Sequence, residues 1–94
     1  MSDVRRVVAR VEMSSRAVGE ALRETLASFG NIVTGIFVGR EVNGLREVYV
    51  ELECGEVALG IVVEKLKGME GVRSLKVRDV GALVDFTSPW RKAF

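Results

Sequence analysis

Stretches of period-two hydrophobicity and stretches of helical period succeed one another in the order strand, helix, strand, strand, helix, strand, and this succession restricts the fold more than any other property. From Val4 to Met13, Val7, Ala9, Val11 and Met13 share one parity, while Arg6, Val8, Arg10 and Glu12 share the other. That is a strand with one buried face. Ser14 or Ser15 then offers an N-cap, since a short side-chain oxygen can accept from the unpaired amides of a first helical turn. Val18, Leu22, Leu26 and Phe29 fall on one helical stripe, with Glu20, Arg23, Glu24 and Ser28 turned away, and Gly30 stands where a terminator belongs.

Asn31 to Val42 is rich in β-branched residues and leads to Asn43-Gly44, a hairpin signal because both residues tolerate positive φ. Leu45 to Cys54 is its partner, with Val48, Val50, Leu52 and Cys54 opposed to Glu47, Tyr49, Glu51 and Glu53. Gly55 and Glu56 open a second helix, whose stripe is Leu59, Val62, Val63, Leu66 and Met69 and which unwinds over Gly68 to Gly71. Val57, Ala58 and Ile61 make this helix apolar over a wide arc, which predicts that part of its outer surface is covered. A last strand spans Val72 to Val80. Two helices on one face of a four-stranded antiparallel sheet is the layer solution for this order, and two split right-handed βαβ units give strand order 4-1-3-2. The fold class is therefore α+β, a ferredoxin-like βαββαβ sandwich over residues 1–80. Residues 81–94 form a tail that could add a strand or contact a neighbouring subunit.

The 94 residues bury little enough surface that stability is expected to lean on a partner subunit. No apolar run approaches the ~20 residues that cross a bilayer, and Met1 to Arg6 lacks the order of a secretory signal, so a cytoplasmic protein without membrane contact is expected. The formal charge of +1 gives no bulk attraction for nucleic acid. Histidine is absent, which removes the commonest general base and transition-metal ligand. With no GxxxxGK[ST], GxGxxG, paired CxxC or HExxH pattern, the expectation is a non-enzyme with no cofactor or metal. Cys54 lies on the apolar parity of its strand and reads as core packing. Missing glutamine and abundant arginine and glutamate suit a heat-adapted source.

The open sheet face should carry Arg6 and Arg10 between Glu47, Glu51 and Glu53 on one side and Lys76 and Arg78 on the other, a solvated or interface surface. Glu51 and Glu53 read as surface charge, since nothing in the sequence desolvates them. Stacking of nucleic-acid bases needs aromatics on the central strands, and only Tyr49 is offered, among glutamates. The second strand differs in being apolar on both parities, Ile32, Ile36 and Val38 against Val33 and Phe37. As an edge strand it predicts a homodimer or higher homo-oligomer, with Val33, Phe37 and Tyr49 as interface residues.

The remaining candidate site is a pair of loops expected at one end of the sheet, Met13 to Val18 and Phe29 to Ile32. Free amides at the start of the first helix, with Ser14, Ser15 and Arg16, suit a carboxylate or other small anion. At these residues the chain resembles the ACT domains, regulatory modules that bind amino acids. The resemblance rests on Leu26-Ala27-Ser28-Phe29-Gly30-Asn31-Ile32 and Gly71-Val72-Arg73-Ser74-Leu75-Lys76-Val77, and spans about Arg5 to Val80. It implies effector contacts from Ser15, Arg16, Ala17 and Val18 in the first loop and Gly30, Asn31 and Ile32 in the second. The loop reads Ser14-Ser15-Arg16-Ala17 where that family usually has an acidic residue and a Pro-Gly step. Met69-Glu70-Gly71-Val72-Arg73 also resembles the effector domains of leucine-responsive regulators and the dimerisation domain of nickel-responsive regulators. The half from Gly44 to Val80 is similar to archaeal elongation factor one beta, a guanine-nucleotide exchange protein. The implied function is an oligomeric regulatory module sensing a small-molecule effector such as an amino acid, with a protein-binding exchange factor as the alternative.

Overall fold

The first strand, β1 (Arg5–Ser14), is hydrogen-bonded along both edges, and the rest of the fold is arranged around it. A computed structural model describes residues 4–80, and the proposed tail lies outside them. After a 3₁₀ turn at Ser15–Ala17 come α1 (Val18–Phe29), β2 (Val33–Val38), β3 (Leu45–Cys54), α2 (Glu56–Lys67) and β4 (Val72–Asp79). The sheet order is β2-β3-β1-β4, the predicted order read from its other edge. Every pairing is antiparallel.

The alternation in β1 buries Val7, Ala9, Val11 and Met13 as expected. Val48, Val50, Leu52 and Cys54 of β3 and Val62, Leu66 and Met69 from α2 and its C-terminal turn join them in the core. Burying a side chain of this size stabilises by about 1.5–3 kcal/mol. The helix α1 departs from its predicted stripe: Leu26 is 49% exposed, whereas Thr25 is 2% exposed. The buried line runs through Val18, Ala21 and Thr25, and residue 26 lies about 100° further round the helix. The Thr25 hydroxyl donates to the Ala21 carbonyl at 2.7 Å, so its burial leaves no polar group unsatisfied.

The second strand matches the apolar run Ile32 to Val38 to within one residue. Its ladder ends where the Gly39 amide donates to the Glu47 carbonyl at 2.8 Å, and Val42 returns only as an isolated bridge to Leu45. Between them Asn43 (φ 54°) and Gly44 (φ 79°) make the two-residue turn that the dipeptide predicts. A bulge corrects the expected two-faced pattern. Val33 pairs with Leu52 but Gly35 pairs with Glu51, leaving Thr34 as the extra residue. An inserted residue moves the alternation by one, so Val33 packs on the core with Ile32, Ile36 and Val38 instead of sharing a face with Phe37.

The open face is also less solvated than the sequence implies. Val8 is fully buried between its cross-strand partners Glu51 and Arg78. Glu51, expected as surface charge, is 9% exposed, with the bulged Thr34 hydroxyl donating to its Oε1 at 2.7 Å and Arg6 Nε 4.0 Å from its Oε2. Arg6 Nε also reaches Glu53 Oε2 at 3.2 Å. On the outer side of α2, Val57 is 82% exposed and Ile61 is exposed as well.

Two glycines give opposite expectations. Gly71 has φ 86°, and a Cβ there would lie 2.8 Å from that of Ala17, so Gly71→Ala should destabilise the fold by about 1–3 kcal/mol. Gly60 is exposed within α2 with open space around it, so Gly60→Ala should stabilise by about 0.5–1 kcal/mol. Urea denaturation of the two variants checks both signs.

Candidate functional site

Three turns meet where β1 ends. The Ser14 amide donates to the Gly71 carbonyl at 2.9 Å, joining the loop to the turn between α2 and β4. The next amide, of Ser15, donates to the Gly44 carbonyl at 2.8 Å, joining it to the hairpin tip. Arg46 then reinforces the second junction, its Nε donating to Ser15 Oγ at 2.9 Å and its Nη1 to the Gly39 carbonyl at 2.9 Å. The expected serine cap is absent: neither the 3₁₀ turn nor α1 has a side-chain cap bond. The Ser15 hydroxyl serves Arg46 instead, and the amides of Ser14 and Ser15 are already committed.

Beside this junction a cleft of about 900 Å³ opens between the start of α1 and the end of α2. Arg16, Ala17, Glu20 and Glu24 line one wall, and Glu64, Lys65, Met69 and Glu70 line the other. Cations and carboxylates are therefore both present on its rim, over a floor of small and thioether side chains. Glu20 is engaged by Arg23, whose Nε donates to Oε2 at 2.6 Å and Nη2 to Oε1 at 2.9 Å. That hydrogen bond holds the Glu20 carboxyl below its ordinary range.

The implied effector residues are divided by the fold. Arg16 and Ala17 line the cleft, Ser15 turns to Arg46, and Val18 is buried in the core. Gly30, Asn31 and Ile32 lie at the opposite end of the sheet. The Ile32 carbonyl accepts from the Glu53 amide at 2.9 Å, and Glu53 pairs with Arg6 near the start of β1. From Arg6 to Met13 is about 23 Å of strand at roughly 3.3 Å per residue. The expectation that both loops share one end is thus corrected: β1 and β2 each run antiparallel to β3, so the chain leaves β1 at one end and enters β2 at the other.

The interface candidates are likewise separated. Val33 is half-buried and packs against the core, whereas Phe37 and Tyr49 form a cross-strand aromatic pair with ring centroids 6.1 Å apart, tilted by 53°. The Tyr49 hydroxyl donates to Glu47 Oε1 at 3.0 Å. Burial, then this bond, raises its pKa above the ordinary phenol value. Sequence reasoning passed over Arg46 and the α2 residues of the cleft. The hairpin signal placed Arg46 two residues after Gly44, yet its partners belong to segments 31 and seven residues away.

No protein-family model matches the chain, and no curated protein does. Among solved structures it is similar to the C-terminal domain of the MgtC protein from Mycobacterium tuberculosis, with 14% identity and a TM-score of 0.73 over 90% of this chain and 98% of that one. It is also similar to the uncharacterized protein TM1266 from Thermotoga maritima, with 16% identity and a TM-score of 0.70 over 82% of this chain and 98% of that one. At these identities the likeness is one of fold. Among the described residues there is no group of three or more histidine, cysteine or acidic side chains able to hold a metal, and no helix long and apolar enough to cross a membrane.

Cys54 is buried, and desolvation raises its thiol pKa above the ordinary value, with Arg5 opposing. A protonated, covered thiol is a poor nucleophile. Native protein should therefore resist iodoacetamide at neutral pH and be labelled only on unfolding, as mass spectrometry would show.

Proposed function

We propose that this chain is a non-enzymatic regulatory module of the ACT-like kind, which assembles with copies of itself and takes a small metabolite such as an amino acid at the cleft beside Arg16. The observation that carries the reading is the mixed charge across that cleft. Arg16 stands at the start of α1, and Lys65, Glu64 and Glu70 stand opposite with Glu24 alongside. A zwitterion suits such a rim: its carboxylate is attracted by Arg16 and the positive end of the helix, and its ammonium by the glutamates. The loop concerned is the one that the ACT resemblance implicates.

Assembly is supported by the character of β2. Its sequence, Val-Thr-Gly-Ile-Phe-Val, has neither charge nor proline, two of the devices that prevent edge pairing, and beyond the bulge at Thr34 its Gly35 to Val38 edge is regular. Phe37 is 47% exposed there. A bound effector regulates such an assembly only by preferring one of its arrangements.

The test is thermal unfolding and native mass across a panel of amino acids at millimolar concentration. A binding amino acid at 100 times its Kd would stabilise by about 2.7 kcal/mol, and Arg16→Ala should lose most of this shift while keeping the unliganded Tm. An unchanged Tm and mass across the panel would remove the sensing role. Separately, Phe37→Asp should lower the native mass to that of one chain, and retention of the wild-type mass would remove the edge from the assembly. A second reading, a protein-binding factor of the archaeal elongation factor one beta type, is favoured by the exposed Val57 and Ile61 of α2. Pull-down of an elongation factor from a matching extract would select it.

A further inference from the structure

Arg46 belongs to β3, but its side chain reaches two segments that are remote from each other in sequence. Nε donates to Ser15 Oγ in the wall of turns beside the cleft, and Nη1 donates to the Gly39 carbonyl just beyond β2, both at 2.9 Å. The same junction is closed on the backbone by the Ser15 amide on Gly44. Gly39 in turn returns its own amide to Glu47, the last bond that holds the end of β2 to β3. A continuous set of hydrogen bonds therefore runs from the residue preceding Arg16 to the end of the edge strand.

We infer that Arg46 is the positioning residue of a latch, through which a displacement of Ser15 and Arg16 at the cleft is transmitted to the end of β2. The inference rests on the proposed reading of that cleft as the effector site, and it names how the site would act. A guanidinium is planar and presents its donors in a fixed fork, so the positions of the Ser15 hydroxyl and the Gly39 carbonyl are defined relative to one another. When Ser15 moves, the fork either follows it and abandons Gly39, or keeps Gly39 and loses Ser15. Arg46 is only half-buried, so a released guanidinium has water to turn to, and the open arrangement is accessible. A lysine ammonium is a point charge and cannot hold both acceptors in one plane.

Hydrogen exchange of the ligand-free 94-residue chain, resolved by residue in NMR spectra, tests the latch. Ser15→Ala removes only the acceptor on the loop side. It should nevertheless speed exchange of the Gly39, Val42 and Leu45 amides by roughly tenfold, the consequence of losing one charge-assisted hydrogen bond. The Val50 and Leu52 amides in the core should keep their wild-type rates, which separates a local opening from general destabilisation. Arg46→Lys should reproduce the pattern and also speed exchange at Ser15. The double variant should exchange no faster at the hairpin than Arg46→Lys alone. Wild-type hairpin rates in Ser15→Ala, or multiplicative effects in the double variant, would show that loop and hairpin open independently and would overturn the latch. Since no ligand is present, this outcome is independent of whether any amino acid shifts the Tm.

Discussion

Strand β1 gives its backbone groups to β3 along one edge and to β4 along the other, and its middle is covered on both faces. Val7, Val8 and Ala9 are consecutive and all buried, although successive side chains in a strand point to opposite sides. A central strand of this kind has no solvent-facing register to slip into. Its position fixes the ladder of β3, hence the hairpin and the level at which β2 ends, and through Met13 it fixes where the first loop begins. The register irregularity between Glu12 and Met13 on the β4 side falls at that same end, where Ser14 is tied to Gly71.

The polar groups of the sheet follow from this arrangement. Arg6, on the parity opposite the core, reaches Glu53 and Glu51 of the adjacent strand, and the bulged Thr34 supplies a hydroxyl to Glu51 from the next. A carboxylate so nearly buried must be hydrogen-bonded to be tolerated, and the bulge that turns Val33 into the core is also what provides Thr34. Packing on one face and charge pairing on the other are thus served by one extra residue. The Arg10–Glu47 pair, at 3.9 Å, is longer than the Arg6–Glu53 pair, and its carboxylate is more exposed than that of Glu51 or Glu53, so its contribution is the smaller one.

The cleft and the hairpin share a foundation. One wall of the cleft begins at a loop whose amides are held by Gly71 and Gly44, and the Arg46 side chain carries the connection on to Gly39. An effector-sensing role and a self-pairing edge are separate proposals, but they concern two ends of one network of hydrogen bonds. Coupling between distant sites requires an element with two discrete arrangements. In the proposed latch that element is the fork of Arg46, which here holds the Ser15 hydroxyl and the Gly39 carbonyl together.

The element order, the facing of β1 and β3, the Asn43-Gly44 turn and the sheet order are legible in the sequence because each depends on local periodicity or on backbone conformations allowed to particular residues. The candidate site was legible only as separate loops: Arg16 and Ala17 line a cleft, while Gly30, Asn31 and Ile32 lie at the far end of the sheet. Polarity alone does not reveal that Thr25 is inside and Leu26 outside, because a hydroxyl bonded to its own helix costs little to bury. Nor does it reveal the bulge at Thr34, since alternation in β2 can be counted either way in an apolar run. The succession of two strand–helix units was therefore determined by the sequence itself. Which side chains meet at the end of β1, with Arg46 between Ser15 and Gly39, was decided only by the tertiary structure, because those contacts join segments that nothing in local sequence brings together.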